Sequence, residues 1–263
     1  MKKSLYLDAN RALRVRADGP SLLVEAAGSA NRRYPLSRLS RIITWGAVEL
    51  EHEALQRCAE VGIPITLLSA SGQPQGFFLP WLPQRTRLHD LLADFLAQPH
   101  WRDRWTMWQY AMNRRAILAS LARMGLRDED PRESRARLAL ERAASRGKPV
   151  ARVADTIRHL EALLTQRAAE ALTAEGVRGE FLARHPDLDL IHAFAHILAW
   201  RYYNDLAEGL LPVEPEVHLQ RRTAAGAFER LSTRESARLG RLLGRFRVWL
   251  GEQVDDRGDE FRR

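Results

Sequence analysis

Cysteine occurs once in the 263 residues, at Cys58, which excludes an internal disulfide and a cysteine-rich zinc centre. Cys58 falls on the apolar face of a predicted helix, where a thiol serves as a small buried hydrophobe rather than a nucleophile. No apolar run approaches a membrane span, and the opening Met-Lys-Lys leads into a strand rather than the apolar core of a signal peptide. A cytoplasmic protein of bacterial type is expected. Lysine is nearly absent as well. Lys2, Lys3 and Lys148 are the only three, which leaves 38 arginines among the 41 basic residues. No internal repeat is found.

What is present is positive charge. A formal net charge of +8 and a pI near 10.3 favour a polyanionic partner. The arginine bias has two sources open to it: recognition of phosphate by forked guanidinium contacts, or a GC-rich genome that writes arginine for lysine throughout. With 45% hydrophobic and 28% charged residues the chain has the composition of an ordinary soluble globular protein, and its length suits two domains.

The hydrophobic period changes part-way along. Residues 5–9, 12–16 and 22–25 read as short strands around the Asp18-Gly19-Pro20 turn. Over 34–78 the order is strand, short helix, strand. Ile42, Ile43 and Trp45 run into Gly46, and Leu50, Ala54, Leu55, Cys58 and Ala59 keep helical spacing. Gly62 stands where a left-handed C-cap is needed, and 63–68 and 73–78 return as strands, with Pro64 at an edge or a strand start. The count is about six strands and one helix before Pro80.

Beyond a proline-stiffened segment at 79–83, the pattern is helical from Leu88 onward. Helices are predicted over 89–97, 102–124, 134–146, 153–174 with 175–183 as a continuation, and 188–208. A loop follows at 209–215, and a last helix is opened by a capping box of Ser232 and Glu235. Residues 255–263 are too polar to pack. The expected class is α+β: a small β-sandwich-like N-terminal domain with one helix (1–79), a linker (80–87) and an all-α C-terminal domain (88–263).

The run PLSRLSRIITWGAVEL, with Ala54-Leu55, Cys58 and GIPITLLS after it, resembles the N-terminal domain of the CRISPR adaptation integrases, the family of CRISPR-associated protein one. The resemblance spans about Leu5 to Phe78, and implies a scaffold that forms a homodimer and lies apart from the catalytic centre. Residues 108–118, WQYAMNRRAIL, resemble the family's first long helix. Residues 156–162 resemble its "lRglEG" motif, which implies Glu161 as a metal ligand with Arg158 one turn before it. Residues 209–218 match "GLdPxxGxxH" in spacing, with Pro215 in place of the second glycine, and imply His218 from a loop. Residues 188–193 resemble "DpvNaLL", with His192 at the asparagine position.

The acids of the family's "LalDLmE" fall on Arg230 and Thr233, while Glu229 stands one residue early on what reads as an irregular lead-in. The implied catalytic and metal-binding set is therefore Glu161, His218 and Glu229, holding Mg²⁺ or Mn²⁺. His192 and His196 have the spacing of a zinc pair, but Ala193 replaces the glutamate such a motif requires, so they read as surface or packing histidines.

Arg234, Arg238, Arg241 and Arg245 form one stripe at steps of 4, 3 and 4. With Arg158, Arg221, Arg222 and Arg230 they are the candidate DNA contacts, and no base-reading motif accompanies them. The resemblance implies a CRISPR adaptation integrase in antiviral defence. It would bind double-stranded or splayed prespacer DNA, join its 3′ ends to the repeat by transesterification, and work with a small ferredoxin-like adaptation subunit. Arg230 and Thr233 at the acidic positions leave a second reading, a non-catalytic DNA-binding or assembly subunit.

Overall fold

A computed structural model describes residues 3–9, 13–80, 87–177, 179–211, 213 and 217–255, with the backbone alone at 87, 217–221 and 255. The chain divides into two compact units between Leu82 and Pro83. No described helix is long and apolar enough to cross a membrane.

The first unit holds two four-stranded sheets. One has the order β1 (Lys3–Asp8), β5 (Leu39–Trp45), β7 (Ile65–Leu68), β8 (Pro74–Phe78). The other runs β4 (Arg32–Pro35), β3 (Ser21–Ala26), β2 (Leu13–Asp18), β6 (Val48–Leu50). Strand β5 lies between two parallel neighbours and reads as an almost unbroken apolar run, because a central parallel strand is covered on both faces. Strands β4 and β6 escape the sequence pattern. One is rich in arginine and the other is three residues long, and each is held by pairing to a longer strand.

Gly46 ends β5 at φ 74°, and a Cβ there would lie 3.3 Å from that of Ala9. Helix α1 (His52–Val61) ends at Gly62 in the left-handed conformation, as its pattern predicts. Ile63 and Pro64 lie before β7 rather than in it, and the Pro64 carbonyl accepts the Ile42 N–H at 2.9 Å. Cys58 is buried in this core, and burial pushes its thiol up to about 11, so it is inert at neutral pH.

The second unit is helical: α2 (Arg87–Leu96), α3 (Trp101–Arg123), α4 (Glu133–Ser145), α5 (Val150–Ala174), α6 (Gly179–Arg184), α7 (Leu190–Ala199), α8 (Tyr202–Ala207), α9 (Val217–Arg230) and α10 (Ser232–Asp255). Helix α5 threads the centre, with Ile157, Leu160, Leu164 and Leu172 buried along it. A ring cluster of Trp105, Trp108, Phe194, Phe246 and Trp249 joins α3, α7 and α10.

Three helical expectations are corrected. Gly176, at φ 75°, stops α5, so α6 is a separate helix rather than a continuation. The segment 188–208 breaks at Trp200 and Arg201 into α7 and α8. Residues 217–230 are helical, where a loop at His218 and an irregular approach to Glu229 are expected.

The capping box is also absent. Leu231 alone separates α9 from α10, and its N–H and that of Glu235 are already satisfied by the carbonyls of Ala227, Phe228 and Leu231. Helix α10 thus has no open N-terminus to cap, and the Glu235 carboxylate turns inward to arginines. Residues 81–86 of the predicted linker at 80–87, and 256–263 of the polar tail at 255–263, lie outside the described residues.

Candidate functional site

Helix α5 places Glu161 half-buried beside α7, where His196 projects one turn before the end. The His196 Nδ1 donates to Glu161 Oε1 at 2.8 Å, and its Nε2 lies 3.2 Å from Glu133 Oε1 on the first turn of α4. Carboxylate oxygens only accept, so Nδ1 carries its proton, and the Glu133 carboxylate favours a second proton on Nε2. Burial pulls the His196 pKa down, but the hydrogen bond and charge of Glu161, aided by Glu133, outweigh it and leave the pKa above its ordinary value.

Glu133 also accepts from Asn113 Nδ2 at 3.0 Å and Arg137 at 3.1 Å, while Asn113 Oδ1 accepts the Trp200 indole N–H at 2.6 Å. The Arg137 guanidinium lies 5.5 Å from the Trp200 ring centre. One polar chain therefore ties α3, α4, α5 and α7 together around Glu161.

These residues do not suit a divalent ion as they stand. Two carboxylates are balanced by His196 and Arg137, His196 is bonded to Glu161 through Nδ1 and faces Glu133 through Nε2, and the space beside Glu161 is about 10 Å³, room for no more than one water. Among the described residues no group of three or more His, Cys, Asp or Glu could hold a metal. The backbone of His218 lies in the first turn of α9, and its side chain is outside the described residues. Glu229 is half-buried about three turns further along the same helix, a rise of about 16 Å from His218. Arg230 is exposed and is not the partner of Glu161.

His192 bonds through Nδ1 to Asp189, the N-cap of its own helix, at 2.7 Å, and so does not pair with His196. Arg158 reaches back to Asp155 at 3.0 Å. Arg222 is exposed, and the Arg221 side chain is outside the described residues. Glu133, Asn113 and Trp200 carry no local signal; only the i,i+4 histidines hint that this face of α7 is polar inward.

The arginine stripe of α10 divides. Arg234 clamps the buried Asp205 of α8 through both Nη atoms, at 2.6 and 3.3 Å, and Arg238 donates to the buried Glu235 at 2.7 Å. Burial raises the Glu235 pKa against the opposing pull of Arg238 and Arg234. Arg241 and Arg245 stay exposed, with no ion-pair partner among the described residues. They face a groove of about 450 Å³ between α3, α7, α8 and α10 that also takes Arg115, Arg123 and Arg201 and has no acid in its lining. Arg123 is paired with Glu208, but Arg115 and Arg201 have no ion-pair partner among the described residues. Partial desolvation, then the charges of Arg238 and Arg123, holds the Arg201 guanidinium below its ordinary pKa.

The family model for CRISPR associated protein Cas1 matches residues 5–228. The chain belongs to the Cas1 family. No curated protein matches it by sequence. A Cas1 protein from Thermotoga maritima superposes with a TM-score of 0.68 at 12% identity, over 94% of this chain and 97% of that one. A casposase bound to integration product gives 0.56 at 15% identity, over 88% and 82%. TtCas1 in a DNA complex gives 0.54 at 15% identity, over 91% of each chain. At these identities the likeness is one of fold, and this chain shares with Cas1 proteins the strand-rich first unit and the helical second unit.

Proposed function

We propose that this Cas1-family chain acts in CRISPR adaptation as an integrase subunit that grips double-stranded or splayed prespacer DNA on its helical unit. The observation that carries the DNA reading is the acid-free groove along which Arg115, Arg201, Arg241 and Arg245 have no ion-pair partner among the described residues. Such a surface gains by releasing counterions from phosphates, so affinity should fall steeply with salt. Replacing Arg241 and Arg245 by Ala should flatten that slope by about one or two phosphate contacts. An unchanged slope would remove the groove from DNA binding. The β unit is proposed as the homodimer scaffold, and light scattering should return twice 30.0 kDa.

The finer proposal is catalytic: Glu161, His218 and Glu229 holding Mg²⁺ or Mn²⁺ for joining, which requires α9 to break between His218 and Glu229 so that both reach one ion, with a small ferredoxin-like subunit as partner. A second reading, a DNA-binding or assembly subunit, is favoured by one observation, the bond between Glu161 and His196. Joining of a labelled prespacer to repeat DNA, with Mn²⁺ and the small subunit present, separates the two. Joining that is lost in Glu161→Gln supports catalysis here. Absence of joining in the unaltered chain, with DNA still bound, supports the assembly role. Joining that survives Glu161→Gln removes Glu161 from the chemistry.

A further inference from the structure

We infer that the arginine groove between α3, α7, α8 and α10 is a binding site for a nucleoside polyphosphate, a compact ligand that competes with DNA for Arg241 and Arg245. The inference goes beyond the DNA reading of the same surface, and rests with it on the groove being an anion site.

Three features of the groove point past a plain phosphate track. Its volume, about 450 Å³, is that of a small-molecule cleft. Its charge is concentrated. Arg115, Arg201, Arg241 and Arg245 have no ion-pair partner among the described residues. A single strand contributes one negative charge per nucleotide. A nucleoside triphosphate brings roughly four charges into the same volume, since its terminal phosphate has a second pKa near 6.

The third feature is the rest of the lining. Met112, Ala116, Ala119, Ile197 and Leu242 give an apolar wall, which inorganic phosphate would not use and a base would. Arg201 agrees with this picture, because guanidinium groups crowded against Arg238 and Arg123 are relieved when an anion arrives.

The test is calorimetric titration of the full chain with AMP, ADP, ATP and inorganic tripolyphosphate, in magnesium-free buffer at physiological salt. Affinity should rise with each phosphate, and ATP should bind about 10-fold tighter than tripolyphosphate because only ATP uses the apolar wall. Arg241→Ala and Arg245→Ala should each weaken ATP and tripolyphosphate alike, by about 10-fold. Ala119→Trp, at an exposed position on α3, should fill the wall and bring ATP down to the tripolyphosphate level while leaving tripolyphosphate unchanged.

The inference is overturned if ATP binds no tighter than AMP, or no tighter than tripolyphosphate, or if the arginine variants bind ATP as the unaltered chain does. Duplex DNA titrated in parallel keeps the two readings apart. DNA bound without ATP sinks the polyphosphate site and leaves the DNA reading standing. ATP bound without DNA does the reverse.

Discussion

Asp205→Asn is the substitution with the most to reveal, because Asp205 is buried to 1% exposure beneath two arginines of α10. The change keeps the shape and removes the charge. Arg234 and Arg238 are then left with Glu235 alone, whose second oxygen already lacks a partner. Breaking a buried pair by deleting one member costs about 3–5 kcal/mol. Arg234 keeps 32% of its side chain in solvent, which screens part of its charge, and asparagine still accepts one hydrogen bond. About 2–3 kcal/mol is therefore expected, a fall in Tm of roughly 5–10 °C for a unit of this size.

Thermal unfolding followed by tryptophan fluorescence is suited to the measurement, since Trp101, Trp105, Trp108, Trp200 and Trp249 belong to the helical unit. The double variant Asp205→Asn with Arg234→Ala should lose less than the sum of the two single losses, by about 1 kcal/mol or more, because the groups touch. A fall below about 2 °C for Asp205→Asn, or strict additivity in the double variant, refutes the view that these arginines serve the fold before they serve a ligand.

His192 should titrate above its ordinary pKa in a proton NMR pH series, chiefly through its bond to Asp189, and return toward that value in Asp189→Asn. Since its folded pKa is the raised one, its contribution to stability is complete below about pH 6.5 and disappears as pH climbs through the folded value. Gly46→Ala should destabilise the β unit by about 1–2 kcal/mol in urea unfolding, from the positive φ and the close Ala9 Cβ. Ser232→Ala should alter stability by less than about 0.5 kcal/mol, whereas loss of a true N-cap costs about 1 kcal/mol.

The β unit was readable from the sequence where residues alternate or run apolar. The pattern at Ile42, Ile43 and Trp45 marks β5 because a central parallel strand has no polar face to show. Strands β4 and β6 are invisible because their order comes from partners rather than from their own residues. Helix ends were legible at Gly62 and misread at Ser232, where a motif that matches a cap sits beside a junction with nothing to cap. At the candidate site, family resemblance picked out Glu161, but its partner His196 comes from a helix 35 residues away, and no local spacing encodes that meeting. The stripe of α10 was visible as charge. That half of it turns inward depends on Asp205, which only tertiary packing brings under it.

The helical unit is closed by its own first and last helices. Phe95 of α2 meets Trp249 of α10 at 5.2 Å between ring centres, and Gln98 donates to the Gln253 carbonyl across 155 residues. During synthesis α2 can therefore pack early on Trp101 of α3 and Phe181 of α6, but lacks its α10 partner until residues 232–255 have emerged. The β unit, whose last strand ends at Phe78, has all its partners in hand much earlier.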